Sequence, residues 1–197
     1  MWVLKFFEKE KGEVLDSHTL LWKKCEMFHS SSTPAADQNC QISSIVIVEA
    51  VENVLYPMRG ESTPIFAERF GSVLAIDPWM DDYDPSDATC QHASFTEVEA
   101  AFDERVSRYH NIRKLKATSD AAVLTLQNNT CDVVCIDDLH TYEQVRSDIM
   151  TYRQITTSVI AGHAFNPVDC PGVHRAVMEN FGDNIQTFMD TSWATIL

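Results

Sequence analysis

Asp137, Asp138 and His140 stand together where a short apolar run, Val133-Val134-Cys135-Ile136, stops inside the segment CDVVCIDDLHTYE. Acids next to a histidine can move protons. An imidazole with an ordinary pKa of about 6.5 takes up and releases a proton near neutrality, and a neighbouring carboxylate can orient its ring. Two other apolar runs also end in acids, SIVIV in Glu49 and SVLAI in Asp77, and another, SVIAG, runs into His163. A carboxylate at the end of a second strand commonly accepts hydrogen bonds from ribose hydroxyls in nucleotide-type sites, which gives Asp77 that candidate role. Ser119 and Asp120 can meet an adenine ring or its amine. Each of these has a plainer reading beside it. Asp77 can be an acid in a surface loop, Ser119 and Asp120 an ordinary helix cap, and Asp137 to Thr141 a cap with a solvated acid pair.

The positions of these groups depend on the elements that end at them. The runs 44–49, 72–77, 112–117, 131–136 and 158–162 read as strands, four of them apolar enough to be buried on both faces. The segments 61–70, 96–109, 119–127, 141–153 and 173–181 read as helices. Ser62 or Thr63 can cap the first of them, with Pro64 in its first turn, and Thr141 can cap the fourth. Ile185–Met189 and Trp193–Leu197 read as two strands joined tightly enough to pair antiparallel. Alternating strands and helices predict an α/β fold, a mainly parallel sheet with helices on both faces. In such sheets ligands bind beyond the carboxyl ends of the strands, where the acids and histidines fall. Residues 1–40 read as a separate helical segment and 41–197 as the α/β domain.

Composition narrows the partners. A net charge of −14 argues against a nucleic-acid backbone or an anionic membrane as the main partner. The one basic cluster lies between Arg105 and Lys116. Six cysteines form no CxxC pair, and Cys135 sits within an apolar run, which points to reduced thiols and a cytoplasmic chain. The apolar run at the N-terminus is too short for a membrane span. A homo-oligomer is left open.

The blocks SVLAIDPW, CIDDLHTYEQVRSDI, IAGHAFNPVDCPGVHRAV and FMDTSW, in that order, resemble the small class I S-adenosylmethionine-dependent methyltransferases, in particular the branch with "IDGxHxYE" and "GGHDY" patterns. The resemblance covers about Glu49 to Leu197. It implies a Rossmann-like, doubly wound sheet of seven strands, mainly parallel with one antiparallel strand. It implies S-adenosylmethionine as cofactor, with Glu49 and the Gly60-Glu61-Ser62-Thr63 turn at the methionine end and Asp77 on the ribose. Trp79 would lie beside the adenosine and Ser119 and Asp120 near adenine. Asp137 and His140 would face the sulfonium and the acceptor, with His163 flanking the same cleft.

Two positions depart from the pattern. Val51 stands where the branch has glycine after its first strand, and Ala164 replaces the aspartate of GHDY. The first opposes close backbone approach to a cofactor. The second removes a carboxylate, so a divalent metal is not favoured: two acids and a histidine make a poor site for a hard cation. The expected activity is methyl transfer to a small hydroxylated metabolite or sugar, with His140 as base, Asp137 or Asp138 orienting it, and His163 as second candidate. The N-terminal segment and the loop 80–94 would cover the cleft, with Trp79, Tyr83, Phe95 and Tyr142 as an aromatic wall. A non-catalytic relative that binds a partner or nucleoside is the alternative favoured by Val51 and Ala164. A nicotinamide-dependent oxidoreductase fits Asp77 but lacks the glycine-rich turn after the first strand.

Overall fold

The structure is a computed structural model and describes residues 44–48, 62–81, 83, 94–126 and 130–197. Expectations for the N-terminal helices, Glu49, Val51, Gly60 and most of the acidic loop lie outside the described residues.

Seven strands form one sheet: β1 (Ser44–Val48), β2 (Ser72–Asp77), β3 (Ile112–Lys116), β4 (Cys131–Ile136), β5 (Thr156–Gly162), β6 (Gln186–Thr187) and β7 (Trp193–Ile196). Their spatial order is β3-β2-β1-β4-β5-β7-β6. The first five are mutually parallel, and β7 runs antiparallel to both of its neighbours, β5 and β6. This is the Rossmann-like seven-stranded sheet expected from the sequence.

Five described helices connect or flank the strands: α1 (Ser62–Ala67), α2 (Phe95–Val106), α3 (Ser119–Leu126), α4 (Tyr142–Tyr152) and α5 (Pro171–Phe181). Strand side chains alternate between faces, so each central strand feeds two cores. Ile45 and Ile47 of β1 pack with Phe66, Phe70, Phe95 and Phe102 from the α1 and α2 side. Val46 and Val48 pack with Ala122, Val145, Ile149, Val173 and Val177 from the side of α3, α4 and α5. Both faces are therefore covered, which is why the runs read as nearly continuous apolar stretches.

Some boundaries moved for local reasons. β5 starts at Thr156 rather than Ser158, because Cys131 pairs with Thr156 across the ladder. β6 keeps only Gln186 and Thr187. Past Thr187 the backbone turns, with Phe188 N–H donating to the Ser192 carbonyl and Thr191 N–H to the Phe188 carbonyl. Neither Ser62 nor Thr63 caps α1 from outside it; both are helical and buried.

Candidate functional site

The parallel register aligns the carboxyl ends of the three central strands: Val48 lies opposite Ile136, and Ile136 opposite Gly162. The ladder then extends by one bond on each side of β4. Asp137 N–H donates to the Val48 carbonyl at 3.1 Å and His163 N–H to the Ile136 carbonyl at 3.3 Å. The residues that follow β4 and β5 are thus placed side by side by backbone geometry. Gly162 makes the approach feasible, since a Cβ there would lie 2.4 Å from the Ile136 carbonyl oxygen and 2.8 Å from the Trp193 ring.

His140 is brought back to the same point by a tight turn. Asp138 Oδ1 accepts from Leu139 N–H at 2.7 Å. Thr141 caps α4 as expected, its hydroxyl accepting from Gln144 N–H at 3.2 Å. α5 crosses directly over this turn at Gly172, where a Cβ would lie 2.7 Å from the His140 carbonyl oxygen. His140 Nε2 ends 3.4 Å from Asp137 Oδ1, and His163 Nδ1 lies 3.9 Å from the same oxygen. Two imidazoles therefore converge on one carboxylate. Asp137 exposes 9% of its side chain, His140 29% and His163 39%, so the rings, rather than the acid, are open to a ligand. Of the two acids expected to orient His140, Asp137 faces it, whereas Asp138 is buried and bonds its own turn.

On the other side of β1, Asp77 ends β2 with 2% exposure. Its Oδ1 accepts from Trp79 N–H at 2.6 Å and its carbonyl from Ala117 N–H at 3.0 Å, which ties it to the end of β3. Trp79 has a φ of 40° and turns its indole into the core, 5.1 Å from the Phe102 ring and under Lys114 Nζ at 4.6 Å. Phe95 is likewise taken up by that core. Lys114 and Lys116, from the basic cluster, pair with Glu99, and Lys114 also with Asp103. Those two lysines are compensated by α2.

Ser119 does not cap α3. Thr118 precedes the helix, and its hydroxyl accepts from Ala121 N–H at 3.4 Å. Ser119, 2% exposed, is drawn into a buried network: its Oγ accepts from Gln144 Nε2 at 2.8 Å, and its carbonyl from the Tyr152 hydroxyl at 3.0 Å. Asp120 beside it is exposed. Gln144 Nε2 also donates to Asp148 Oδ1 at 3.2 Å. Asp148 is a member of this network that the sequence reading passed over. Burial first, and the Asp138 carboxylate second, push its carboxyl up to about 8. A signal was present: Val145, Asp148, Ile149 and Tyr152 follow helical i, i+3, i+4, i+7 spacing, which sets Asp148 in the apolar stripe.

The expected site residues thus fall into two groups along one edge of the sheet. Asp137, His140 and His163 meet directly. Asp77, Trp79, Ser119 and Asp120 follow β2 and β3, and Ser62 opens α1, which follows β1. Glu49 and Gly60 lie outside the described residues. Among the described residues no group of three or more His, Cys, Asp or Glu is arranged to hold a metal ion.

A doubly wound sheet with acids and histidines at the carboxyl edge defines a cofactor-binding α/β domain of the Rossmann-like class. Residues 42–163 match the family model described as a methyltransferase domain, and the chain belongs to that family. With this fold, it is a class I S-adenosylmethionine-dependent methyltransferase, as the resemblance implied. The solved structures it is similar to include the O-methyltransferase NovP, at 13% identity and a TM-score of 0.58, covering 91% of this chain and 78% of that one. The calicheamicin methyltransferase CalS11 matches at 10% identity and a TM-score of 0.57, covering 92% of this chain and 80% of that one. An rRNA methylase from Streptococcus thermophilus matches at 9% identity and a TM-score of 0.56, covering 93% of this chain and 96% of that one. At these identities the likeness is one of fold. No curated protein matches the chain by sequence. No helix among the described residues is long and apolar enough to cross a membrane.

Proposed function

We propose that the protein transfers the methyl group of S-adenosylmethionine to a hydroxyl of a small metabolite or sugar. The observation that carries this reading is the convergence of His140 and His163 on Asp137 at the carboxyl edge. A sulfonium methyl is already activated, so the protein's part is alignment and removal of the acceptor's proton. His140 is the base. Its Nε2 faces Asp137, which orients the ring and offsets its charge when it is protonated.

The described residues fit the cofactor. Asp77 offers a sheltered acceptor to a ribose diol, with one oxygen oriented by the Trp79 amide. Thr63, at the start of α1, carries a buried hydroxyl without a hydrogen-bond partner among the described residues. It and Ser62 are assigned to the methionine end. Because Ser119 is buried, with its hydroxyl accepting from Gln144 and its carbonyl from Tyr152, adenine is met by exposed Asp120. Trp79 contributes through its amide, which orients Asp77, while its ring is held in the core by Phe102. No step requires a metal.

The choice of acceptor follows charge and analogy. CalS11 is described as a TDP-rhamnose 3'-O-methyltransferase and NovP as an O-methyltransferase. The rRNA methylase has the same fold, but a net charge of −14 disfavours a polyanionic acceptor here. Free thiols at Cys131, Cys135 and Cys170 agree with a cytoplasmic setting.

Calorimetric titration with S-adenosylmethionine and S-adenosylhomocysteine, each with and without magnesium, tests the reading. Micromolar binding independent of magnesium is expected. Binding of neither compound would overturn it in favour of a non-catalytic relative, and magnesium dependence would overturn the metal-free site.

A further inference from the structure

His163 is gripped from its far side by the turn between β6 and β7. Its Nε2 lies 2.8 Å from the Asp190 carbonyl oxygen and 3.3 Å from Thr191 Oγ1. A carbonyl only accepts, so Nε2 must carry the hydrogen. The turn is in turn tied to the chain beyond His163, because Phe165 N–H donates to the Thr191 carbonyl at 2.8 Å. Thr191 holds a φ of 68° to do this, a conformation a β-branched residue rarely adopts, and Ala164, next to His163, holds 58°. Two unfavourable backbone conformations thus flank one imidazole and fix its orientation.

The consequence falls on the other nitrogen. With hydrogen on Nε2, the neutral ring has its lone pair on Nδ1, the atom 3.9 Å from Asp137 Oδ1. We infer that the β6–β7 turn holds His163 as the Nε2–H tautomer, which makes Nδ1 a second proton-accepting atom of the cleft beside His140. Its use in methyl transfer rests on the function proposed above; the tautomer does not. In that use, the second route beside His140, the acceptor oxygen forms its bond to the methyl carbon, the sulfur–carbon bond breaks to leave a neutral thioether, and the hydroxyl proton passes to Nδ1 of His163 where the acceptor hydroxyl lies nearer that ring than His140. Asp137 then faces the new imidazolium. Asp190 and Thr191 act here as positioning residues.

Long-range proton–nitrogen correlation spectra of the full chain, labelled with nitrogen-15 and free of cofactor, read the tautomer directly. The His163 signals are assigned by their loss in His163→Gln. The expected result is a neutral ring protonated at Nε2, kept in Asp137→Asn because the turn sets it. An Nδ1–H ring, or averaging like that of free imidazole, would overturn the inference, as would a tautomer that switches in Asp137→Asn. For the catalytic use, His163→Gln should lower kcat about a hundredfold at unchanged affinity for S-adenosylhomocysteine. Unchanged kcat would remove Nδ1 from the proton's route. A chain that binds no cofactor yet shows the Nε2–H ring would refute the methyl-transfer reading and leave the tautomer standing.

Discussion

Replacing Asp148 with asparagine should flatten the dependence of folding stability on pH. Asp148 is 1% exposed, its Oδ1 accepts from Gln144, and its Oδ2 has no hydrogen-bond partner among the described residues. Burial, and then the Asp138 carboxylate, raise it from 3.8 to about 8, with Asp120 adding to the repulsion and Ser119 and Gln144 opposing it. The raised value means that between about pH 4 and pH 8 the folded chain keeps a proton that the unfolded chain releases. Stability is therefore fully present below the unfolded value and is lost as pH rises through the folded one, by about 1.4 kcal/mol per pH unit from this group. From pH 5 to pH 8 the loss is at most about 4 kcal/mol. Urea unfolding of the wild-type chain and Asp148→Asn at matched pH values isolates this term, since the other groups cancel between them. The two should agree below about pH 4 and diverge steadily from there to pH 8, with the variant more stable. Parallel curves would refute the buried-proton argument. Asp138→Asn should give part of the same flattening; if it gave none, burial alone would account for the shift.

Gly162→Ala should destabilise by about 3 kcal/mol in the same unfolding assay, because its methyl would meet the Ile136 carbonyl and the Trp193 ring at 2.4 and 2.8 Å. Thr141→Ala removes the α4 cap and should lower stability by about 1 kcal/mol, read as a shift in the urea midpoint. Asp77→Ala should weaken S-adenosylmethionine binding by about 1 to 3 kcal/mol in calorimetry, and unchanged affinity would remove Asp77 from the ribose. His140→Ala should lower turnover while cofactor affinity stays near wild type; full activity would leave His163 as the base.

The order of elements was legible because each central strand announces itself twice, by its apolar run and by the acid or histidine that stops it. β2 begins and ends where SVLAID does. What could not be read locally was set by distant neighbours. Ser119 resembles a cap in sequence, yet Gln144, 25 residues later, draws its hydroxyl inward. Asp137 and Asp138 are adjacent and chemically equal, and only the turn after β4, in which Asp138 takes the Leu139 amide, decides which faces the histidines. Trp79 follows an acid at a strand end, where an aromatic can face a ligand, but Phe102 and Lys114 claim its ring. The grip on His163 by Asp190 and Thr191 spans 27 and 28 residues and leaves no local trace.

The sheet also dictates an order of events in folding. β1 and β4 are paired at its centre, and Ser44 and Asp132, which bond at that seam, are 88 residues apart. Contacts of such long range form slowly, because a large loop must close before they repay its entropy. β7 must then insert between β5 and β6, placing Trp193 against Gly162. During synthesis, β2 and β3 can pair while the sheet's centre is still open. The His163 side of the cleft takes shape only after Trp193–Ile196 has been laid in. A nascent chain would hold Asp77 and its strands well before His163 is in place, so the proposed site would be completed as a late step rather than by degrees.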